Sequence, residues 1–231
     1  MSQTRAIAEA YGQGRVTFMG IELLVAPGTL VPRRETELLG YAAVDILRST
    51  DLAVARVIDM CCGAGNLACA VARHVPHTAI WAADLTDHSA EIANRNVTFH
   101  ALSDRVSVHQ GDLFSALVGL RLEGTIDLIV CNPPYISDRR LEGDRAHLLE
   151  LEPREAFAAG PYGLSIHVRV IKDALAFLRP GGVLLLEVGL GQDRQVQKLF
   201  QRANAYEEIR VIENDAGEGR VVLGRKMTVS R

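Results

Sequence analysis

The sequence predicts an α/β fold in which helices cover both faces of a seven-stranded, mainly parallel sheet. From Arg56 onward, short aliphatic or β-branched runs alternate with helix-length segments, which is typical of right-handed βαβ units. The last two strand-like runs, 206–214 and 219–226, are joined by a short turn without a helix. We therefore expect a C-terminal hairpin that places one antiparallel strand in the sheet.

The same alternation gives the order of the elements. Parallel strands are predicted where apolar runs are short and bounded by turn residues, at 56–61, 79–84, 105–110, 125–131 and 183–189. Helices are predicted after them, at 66–75, 86–103, 112–120, 165–178 and 191–204. Residues 137–163 are a long loop for a compact domain, and long loops of this kind are often lids or substrate walls.

The first fifty residues have a different pattern. Residues 15–27 predict two short strands around Met19-Gly20, a small β-hairpin. Residues 33–48 carry apolar residues at helical spacing behind Pro32, a residue favoured at helix starts. We therefore divide the chain into an N-terminal lid or cap, residues 1–50, and a main domain, residues 51–231.

Composition favours an ordinary soluble protein. With 231 residues, of which 48% are hydrophobic, the chain can bury a full core. The formal net charge of -3, without a basic cluster, disfavours a nucleic-acid partner. Neither a leader pattern nor an apolar run of membrane-spanning length is found in the sequence, so we expect a cytoplasmic protein with no membrane partner. A homodimer is left open.

Neither the cysteines nor the histidines are spaced like metal ligands, so we predict no metal. Three of the four cysteines lie in or beside apolar runs, and we expect buried, reduced thiols. The seven histidines are scattered, and surface or capping roles are expected for most of them. His167 is kept as a candidate site residue, because the loop before its helix leads back toward the sheet edge at which the parallel strands end.

Polar residues at the ends of the first three parallel strands point to a nucleoside. Asp59 lies near the end of the first strand, and Gly63 and Gly65 then allow a tight turn into a helix whose first N–H groups are unpaired. Asp84 ends the second strand about 20 residues further on, where a carboxylate can bind the hydroxyls of a ribose. Asp112 follows the third strand, where it could accept from an adenine amino group.

These residues also have simpler explanations. Asp84 and Asp112 could cap helices, although Thr86 could take the first of these roles. A nicotinamide dinucleotide is the rival ligand, but Asp59 is unfavourable beside a pyrophosphate and a second mononucleotide-binding half is lacking. S-adenosylmethionine (SAM), which has a ribose and a cationic tail, fits better.

The fourth strand leads into the run Asn132-Pro133-Pro134-Tyr135. The side-chain oxygen of Asn132 can accept from an N–H, and so can the carbonyl of Pro133, which the prolines leave without a ladder partner. Tyr135 offers an aromatic face to a developing cation. Asn132, Pro133 and Tyr135 are therefore the catalytic candidates, suited to hold an amine or amide nitrogen in line with an electrophilic carbon.

A series of motifs covers most of the chain from about Gly14 onward. They are "FMGIELLVAPGTLVPRRETELL" (18–39), "VIDMCCGAGNLA" (57–68), "AADLT" (82–86), "GDLF" (111–114), "DLIVCNPPYIS" (127–137), "EPREAFAAGPYGL" (152–164) and "LRPGGVLLLEVGLGQ" (178–192). In content and order they resemble the HemK/PrmC glutamine methyltransferases, which modify the side-chain amide of a glutamine in translation release factors.

The resemblance implies a class I, Rossmann-like SAM-dependent methyltransferase fold. It implies that Asn132, Pro133 and Tyr135 form an amide-binding corner, and that Glu152 lies near the substrate. It also implies a set of SAM contacts, which comprises Asn132, the lid residues Thr36 and Glu37, and the strand-end residues Asp59, Gly63, Gly65, Asp84, Leu85, Asp112 and Leu113.

The sequence also departs from that family. Family members carry a helical N-terminal domain, whereas only about a dozen residues precede the first predicted strand. Tyr162 stands where an aspartate is usual, and His167 where a tyrosine is common. A small interface and a rebuilt lid favour a small, enclosed substrate over a protein, with Glu152, Tyr162 and His167 as candidate substrate contacts.

Three functions follow from these observations. The first is N-methylation of a small molecule, with release-factor methylation as its close variant. In the second, SAM is its own substrate: its amino group attacks its γ-carbon, giving azetidine-2-carboxylate and methylthioadenosine, with Tyr135, Tyr162 and either Tyr11 or Tyr41 around the sulfonium. The third is a non-catalytic SAM-binding protein, which has no need of the acceptor corner.

Overall fold

The computed structural model describes residues 3–143 and 145–228 and contains the predicted seven-stranded sheet. A separate hairpin consists of β1 (Arg15–Phe18) and β2 (Ile21–Leu24). The strands of the large sheet are β3 (Ala55–Met60), β4 (Thr78–Asp84), β5 (Val106–Gln110), β6 (Ile126–Cys131), β7 (Leu178–Glu187), β8 (Tyr206–Glu213) and β9 (Gly219–Lys226).

Helices alternate with these strands. They are α1 (Gln3–Gln13), α2 (Glu37–Arg48), α3 (Asn66–His74), α4 (Asp87–Phe99), α5 (Asp138–Glu142), α6 (Ser165–Phe177) and α7 (Asp193–Ala203). Short 3-10 turns occur at Arg34–Thr36, Leu113–Leu117, Ala146–Glu150 and Arg154–Ala156. Within the described ranges, none of the helices combines the length and hydrophobicity that crossing a lipid bilayer requires.

The strand order of the large sheet is β5-β4-β3-β6-β7-β9-β8. The five strands from β3 to β7 are parallel, while β9 runs antiparallel to both β7 and β8. The chain builds outward from β3 to β5 and then returns to place β6 on the other side of β3. This reversal opens a crevice at the carboxyl ends of β3 and β6, where ligands bind in open α/β sheets.

Both faces of the sheet are buried, because alternate residues of the central strands point to opposite cores. Val57 and Leu128 pack with α2, α3 and α4, while Ile58 and Ile129 pack with α6 and α7. This two-sided burial explains why the central strands are continuous apolar runs rather than alternating ones. Helix α2, which the sequence assigned to the lid, packs on the sheet as part of the first core.

Four local predictions were wrong. Residues 112–120 form only a 3-10 turn, because Leu113 and Gly119 adopt positive φ values of 50 and 88 and Ser115 Oγ donates to the Asp112 carbonyl. Strand β7 begins five residues early, at Leu178, through a register shift against β6. The 137–163 loop contains the short helix α5. Helix α1 was not predicted, because one core residue, Ile7, gives no helical spacing of apolar residues.

The lid loop, residues 19–33, is fixed by side chains from the surrounding helices. His74 and His100 place Nε2 at 2.9 and 2.7 Å from the carbonyl oxygens of Met19 and Glu22, distances at which an N–H donates. His88 does the same for Pro27 at 2.6 Å. Three histidines thus have the capping role that the sequence suggested for most of them.

Three further side chains hold the two ends of the lid loop. Glu37 Oε1 accepts from the Met19 N–H at 2.8 Å, and Tyr11 donates to the Thr29 carbonyl at 2.5 Å. The buried Glu152 accepts from the Val31 N–H at 2.9 Å. The lid loop therefore has a defined position over the sheet edge although it pairs with no strand there.

Asn96 of α4 makes the densest of these connections. It is fully buried, its Oδ1 accepts from the Leu24 N–H at 2.7 Å, and its Nδ2 donates to the carbonyls of Leu24 and Ala64, both at 2.9 Å. One amide thus ties β2 to the turn after β3.

We predict that Asn96→Ala lowers the free energy of unfolding by about 2 to 4 kcal/mol, because three backbone groups lose their partner in a buried place. Urea unfolding followed by circular dichroism measures the change. Asn94→Ala, on the exposed side of the same helix, is the matched control and should cost less than about 1 kcal/mol. Equal losses in the two variants would contradict the prediction.

Candidate active site

A cleft lies at the carboxyl edge of the sheet, over β3, β4 and β6. Its walls come from the strand ends, the lid loop and the 137–163 segment. The lining residues that the sequence singled out are Gly63, Asp84, Leu85, Asp112, Leu113 and Asn132. The lining residues that the sequence did not single out include Leu30, Ser89 and Ile166. We call this the nucleoside cleft.

The turn after β3 forms the floor of this cleft. Gly63 has a φ of +54, and a Cβ placed on it would meet nothing within 4 Å, so a ligand can approach the backbone there. Gly65 precedes α3 with a φ of +75, and its Cα packs directly against Ala93. Gly63 thus leaves room for a ligand, whereas Gly65 allows close packing of α3 and α4.

Two carboxylates border the nucleoside cleft. Asp84 Oδ2 accepts from the Gly63 N–H at 2.8 Å, and its Oδ1 lies 3.2 Å from the Thr86 N–H, which orients the carboxylate at the end of β4. Asp112 lies nearer the mouth, where it pairs with Arg169 at 2.7 Å. Apolar Leu113 and Ile166 also line the cleft. Carboxylates beside an apolar slot suit a nucleoside, whose sugar is polar and whose base has apolar faces.

Asp59 lies beneath the cleft rather than on its wall. It is fully buried, its Oδ2 accepts from the Ala68 N–H at 2.8 Å, and its Oδ1 has no partner among the described residues. Burial raises its pKa to about 7, an effect that the Ala68 N–H opposes and the charge of Asp84 reinforces. A cofactor contact for Asp59 stays a prediction.

A second cleft, of about 460 Å³, adjoins the first, and we call it the acceptor cleft. It is lined by Asn132, Pro133 and Tyr135, with Glu35, Arg33 and Arg220 around them. Asn132 and Leu30 line both clefts and also a smaller cavity that contains Gly63 and Thr36. Asn132 therefore lies where the nucleoside cleft, the lid and the acceptor cleft meet.

Both ends of the Asn132–Tyr135 corner are fixed by hydrogen bonds. Asn132 Nδ2 donates to Thr36 Oγ1 at 3.2 Å, so its Oδ1 is the atom left to accept from a ligand. Gln192 Nε2 donates to the Tyr135 carbonyl at 3.0 Å, and its Oε1 accepts from the Gly189 N–H. A Cβ on Gly189 would lie 3.0 Å from the Tyr135 ring, so a larger residue there would displace the ring.

A buried carboxylate lies behind this corner. Glu187 ends β7 and is only 1% exposed, and its Oε1 lies 3.6 Å from Nη2 of Arg220. Burial raises the pKa of Glu187 to about 7, while the Thr36 hydroxyl and Arg220 lower it. The pKa of Tyr135 is raised to about 12 by burial and by the charge of Glu187.

The sequence placed three residues at the substrate, and the structure gives them different surroundings. Glu152 is buried, pairs with Arg33, and supports the lid loop. Tyr162 is 86% exposed and lines neither cleft. His167 is fully buried; its Nε2 contacts the Glu187 carbonyl at 3.0 Å, and burial lowers its pKa to about 4. Their substrate contacts stay predictions.

Among the lid candidates, Thr36 lines the small cavity beside Gly63, whereas Glu37 binds the lid backbone. The sequence missed Leu30, Glu187 and Arg220. Glu187 had a signal, since it is an acidic residue inside the otherwise apolar run "VLLLEVG". Leu30 and Arg220 had none, because only the tertiary fold brings them to the clefts. Among the described residues, no cluster of three or more His, Cys, Asp or Glu side chains has the geometry of a metal site.

Comparisons with known proteins agree with this geometry. Residues 43–155 match the family model described as "Methyltransferase small domain". The chain is 36% identical to a release factor glutamine methyltransferase of Gloeobacter violaceus over 223 residues, which is 95% of this chain and 76% of that protein. It is 33% identical to the protein of the same name from Moorella thermoacetica over 92% of this chain and 73% of that protein.

Solved structures share the fold at low sequence identity. A methyltransferase from Pyrococcus furiosus superimposes with a TM-score of 0.65 at 16% identity, covering 98% of this chain and 100% of that chain. An O-methyltransferase family protein from Burkholderia thailandensis gives a TM-score of 0.55 at 16% identity, covering 85% of this chain and 57% of that chain. The fold is therefore the class I SAM-dependent methyltransferase fold, as the sequence predicted.

The raised pKa of Asp59 predicts how the stability of the protein depends on pH. Because the folded-state pKa is raised, the contribution of Asp59 to stability is full below pH 4 and is lost as the pH rises through about 7. Asp59→Asn removes this ionisation but keeps an acceptor for the Ala68 N–H. The unmutated protein should lose stability from pH 5 to pH 8, whereas the variant should not lose it through this group. We predict that the free energy of unfolding of the variant minus that of the unmutated protein increases by about 1 to 4 kcal/mol from pH 5 to pH 8.

Urea unfolding at the two pH values measures this change. Comparing the variant with itself at pH 5 removes any fixed cost of burying the new amide group. A difference between variant and unmutated protein that is the same at pH 5 and pH 8 would contradict a raised pKa for Asp59.

Proposed function

The chain belongs to the release factor glutamine methyltransferase (HemK/PrmC) family, and we propose that, as a SAM-dependent methyltransferase, it methylates the side-chain amide nitrogen of a glutamine in a polypeptide. The observation that carries the proposal is the position of Asn132, which lines both the nucleoside cleft and the acceptor cleft. A side chain in that position can hold an acceptor nitrogen beside a methyl donor.

The residues of the nucleoside cleft fit SAM. Gly63 leaves open space beside the backbone, and Asp84 presents an oriented carboxylate at the end of β4. We assign the ribose to Asp84, the base to the slot that Leu113 and Ile166 line near Asp112, and the methionine end to the cavity beside Gly63 and Thr36. Glu37 and Asp59 support this surface from behind, through the lid and through the turn after β3.

SAM supplies an electrophilic methyl group: the amide nitrogen bonds to the methyl carbon, the carbon–sulfur bond breaks with its electron pair left on sulfur, and the N–H proton leaves to water. The role of the protein is to align the acceptor. Asn132 Oδ1 and the Pro133 carbonyl accept from the two N–H groups of the amide, which fixes the nitrogen. Tyr135 covers the developing charge with its ring.

The family relationship leans toward a polypeptide substrate and against the small molecule that the sequence favoured, since relatives at 33 to 36% identity are named for a protein substrate. The acceptor cleft has a volume of about 460 Å³ and reaches the surface at Leu190, which is exposed. A loop bearing a glutamine fits such a cleft better than a free amino acid would. The cyclisation of SAM receives no support from these relatives.

The proposal is tested by incubating the full chain with SAM and either a bacterial release factor or free glutamine. We expect methylation of one glutamine in the release factor, found by peptide mass spectrometry, and an equal amount of S-adenosylhomocysteine. Asn132→Ala should lower kcat/KM by roughly 100- to 1000-fold, because the acceptor nitrogen loses its fixed partner. Asn94→Ala, on the exposed side of α4, is the control with unchanged activity.

Three results would contradict the proposal. Methylation of free glutamine but not of the release factor would favour a small-molecule substrate. Methylthioadenosine as the nucleoside product would indicate cyclisation or cleavage of SAM. Equal activity of the unmutated protein and Asn132→Ala would remove the acceptor corner from the reaction.

A separate prediction concerns the nucleoside cleft. Asp84→Ala should raise the Kd for SAM at least tenfold by isothermal titration calorimetry, because a carboxylate bound to two ribose hydroxyls makes charge-assisted hydrogen bonds. Asp87→Ala removes an exposed carboxylate three residues along the chain and should change the Kd less than twofold. If both variants raise the Kd for SAM equally, the affinity depends only on the overall charge of this edge, and the prediction for Asp84 is wrong.

A further inference from the structure

Arg169 of α6 forms an ion pair with a residue of the nucleoside cleft, and the proposed function gives it no role. Its Nη2 donates to Oδ2 of Asp112 at 2.7 Å, although the two residues lie 57 positions apart in the sequence. Asp173, one turn further along α6, would be a local partner, but within the described ranges no ion pair joins it to Arg169. Arg169 therefore reaches away from its own helix to the edge of the cleft.

The carboxylate of Asp112 has no other partner among the described residues. Asp112 precedes the 3-10 turn Leu113–Leu117, but its side chain makes no capping hydrogen bond there. Ser115 instead bonds the backbone carbonyl of Asp112, through its N–H and its hydroxyl. The capping role that the sequence left open for the Asp112 side chain is thus not filled, and Arg169 is the group that orients the carboxylate.

The backbone around Asp112 is fixed by its neighbours. The Gly111 N–H donates to the Asp84 carbonyl at 2.8 Å, which ties the turn after β5 to the end of β4. A Cβ on Gly111 would lie 2.9 Å from that of Ala116, so a side chain there would displace the turn. With the backbone held in this way, the freedom left to Asp112 is the rotation of its side chain. That side chain is 55% exposed, and Arg169 restricts its rotation.

We propose that Arg169 is a positioning residue for SAM: it holds Oδ2 of Asp112 and so leaves Oδ1 to accept from the amino group of the adenine. Within the described residues, Oδ1 accepts no hydrogen bond from the protein. Because a carboxylate only accepts, it favours a base that carries an amino group over one that lacks it. The proposal rests on the proposed function only in placing SAM in the nucleoside cleft.

The position of Arg169 separates this role from direct contact with the ligand. Ile166, one turn earlier on α6, lines the nucleoside cleft, whereas Arg169 does not. Arg169 therefore acts on the ligand through Asp112. The side chains of the pair are 45% and 55% exposed, and exposed ion pairs add little to stability, so the main effect of losing Arg169 should be on binding.

Isothermal titration calorimetry with S-adenosylhomocysteine tests the proposal without an acceptor substrate. The second ligand is the analogue in which hydrogen replaces the adenine amino group. The unmutated protein should bind the analogue roughly tenfold or more weakly, because the Asp112 carboxylate then lacks a donor. Arg169→Ala should raise the Kd for S-adenosylhomocysteine about three- to tenfold but change the Kd for the analogue less than about twofold. A merely structural loss would raise both Kd values alike.

A double-mutant cycle tests whether Arg169 acts through Asp112. Asp112→Ala should also remove the preference for the amino group, and adding Arg169→Ala to it should change the Kd for S-adenosylhomocysteine less than about twofold. Lys172→Ala is the matched control, because it removes one positive charge from an exposed position of the same helix. It should leave both Kd values within about twofold of those of the unmutated protein.

Several outcomes would overturn the role of Arg169. These are an equal rise of both Kd values in Arg169→Ala, losses that add in the double variant, and tighter binding of S-adenosylhomocysteine by Arg169→Ala, which would mean that Arg169 competes with the base for Asp112. Failure of the unmutated protein to bind S-adenosylhomocysteine would overturn both this role and the proposed function. If the cycle gives the expected result while no glutamine of the release factor is methylated, the proposed function fails and the role of Arg169 stands.

Discussion

The covering of both faces of the central sheet is the constraint on which the rest of the molecule depends. Because α2, α3 and α4 bury one face and α6 and α7 the other, a ligand can reach the sheet only at its edge. The reversal of strand order at β3 and β6 separates the loops there. As a result the glycine turn after β3 and the Asn132 corner after β6 lie side by side.

Side chains position the lid where strand pairing does not. The backbone of the lid loop donates hydrogen bonds to Asn96, Glu37 and Glu152. Its carbonyl oxygens are bonded by Tyr11 and by three histidines. These contacts come from α1, α2, α3, α4 and the 137–163 segment. The position of the lid therefore depends on the packing of several helices. Thr36, which follows the lid loop, accepts a hydrogen bond from Asn132, so the orientation of Asn132 depends on the lid as well.

Buried carboxylates recur at the carboxyl edge of the sheet. Asp59 lies under the glycine turn, Glu187 behind the acceptor corner and Glu152 against the lid loop, and burial raises the pKa of each. Groups of this kind lower stability when they are ionised, so they mark places where orientation matters more than stability. Two of them bind the backbone of different walls: Asp59 accepts from the Ala68 N–H of α3, and Glu152 accepts from the Val31 N–H of the lid loop.

The sequence by itself determined the order of the strands, because the apolar runs and the glycine and proline signals are local. It also determined that Gly63, Asp84 and Asn132 follow strand ends, and parallel strands bring their ends to one edge. It did not determine that residues 112–120 fail to form a helix, because the spacing of apolar residues there does not show the positive φ values at Leu113 and Gly119. Only the tertiary structure decided which polar groups are buried, and so separated exposed Tyr162 from buried His167 and placed Glu187 within 3.6 Å of Arg220. Burial and proximity between distant segments follow from how the layers pack, and no local pattern records that.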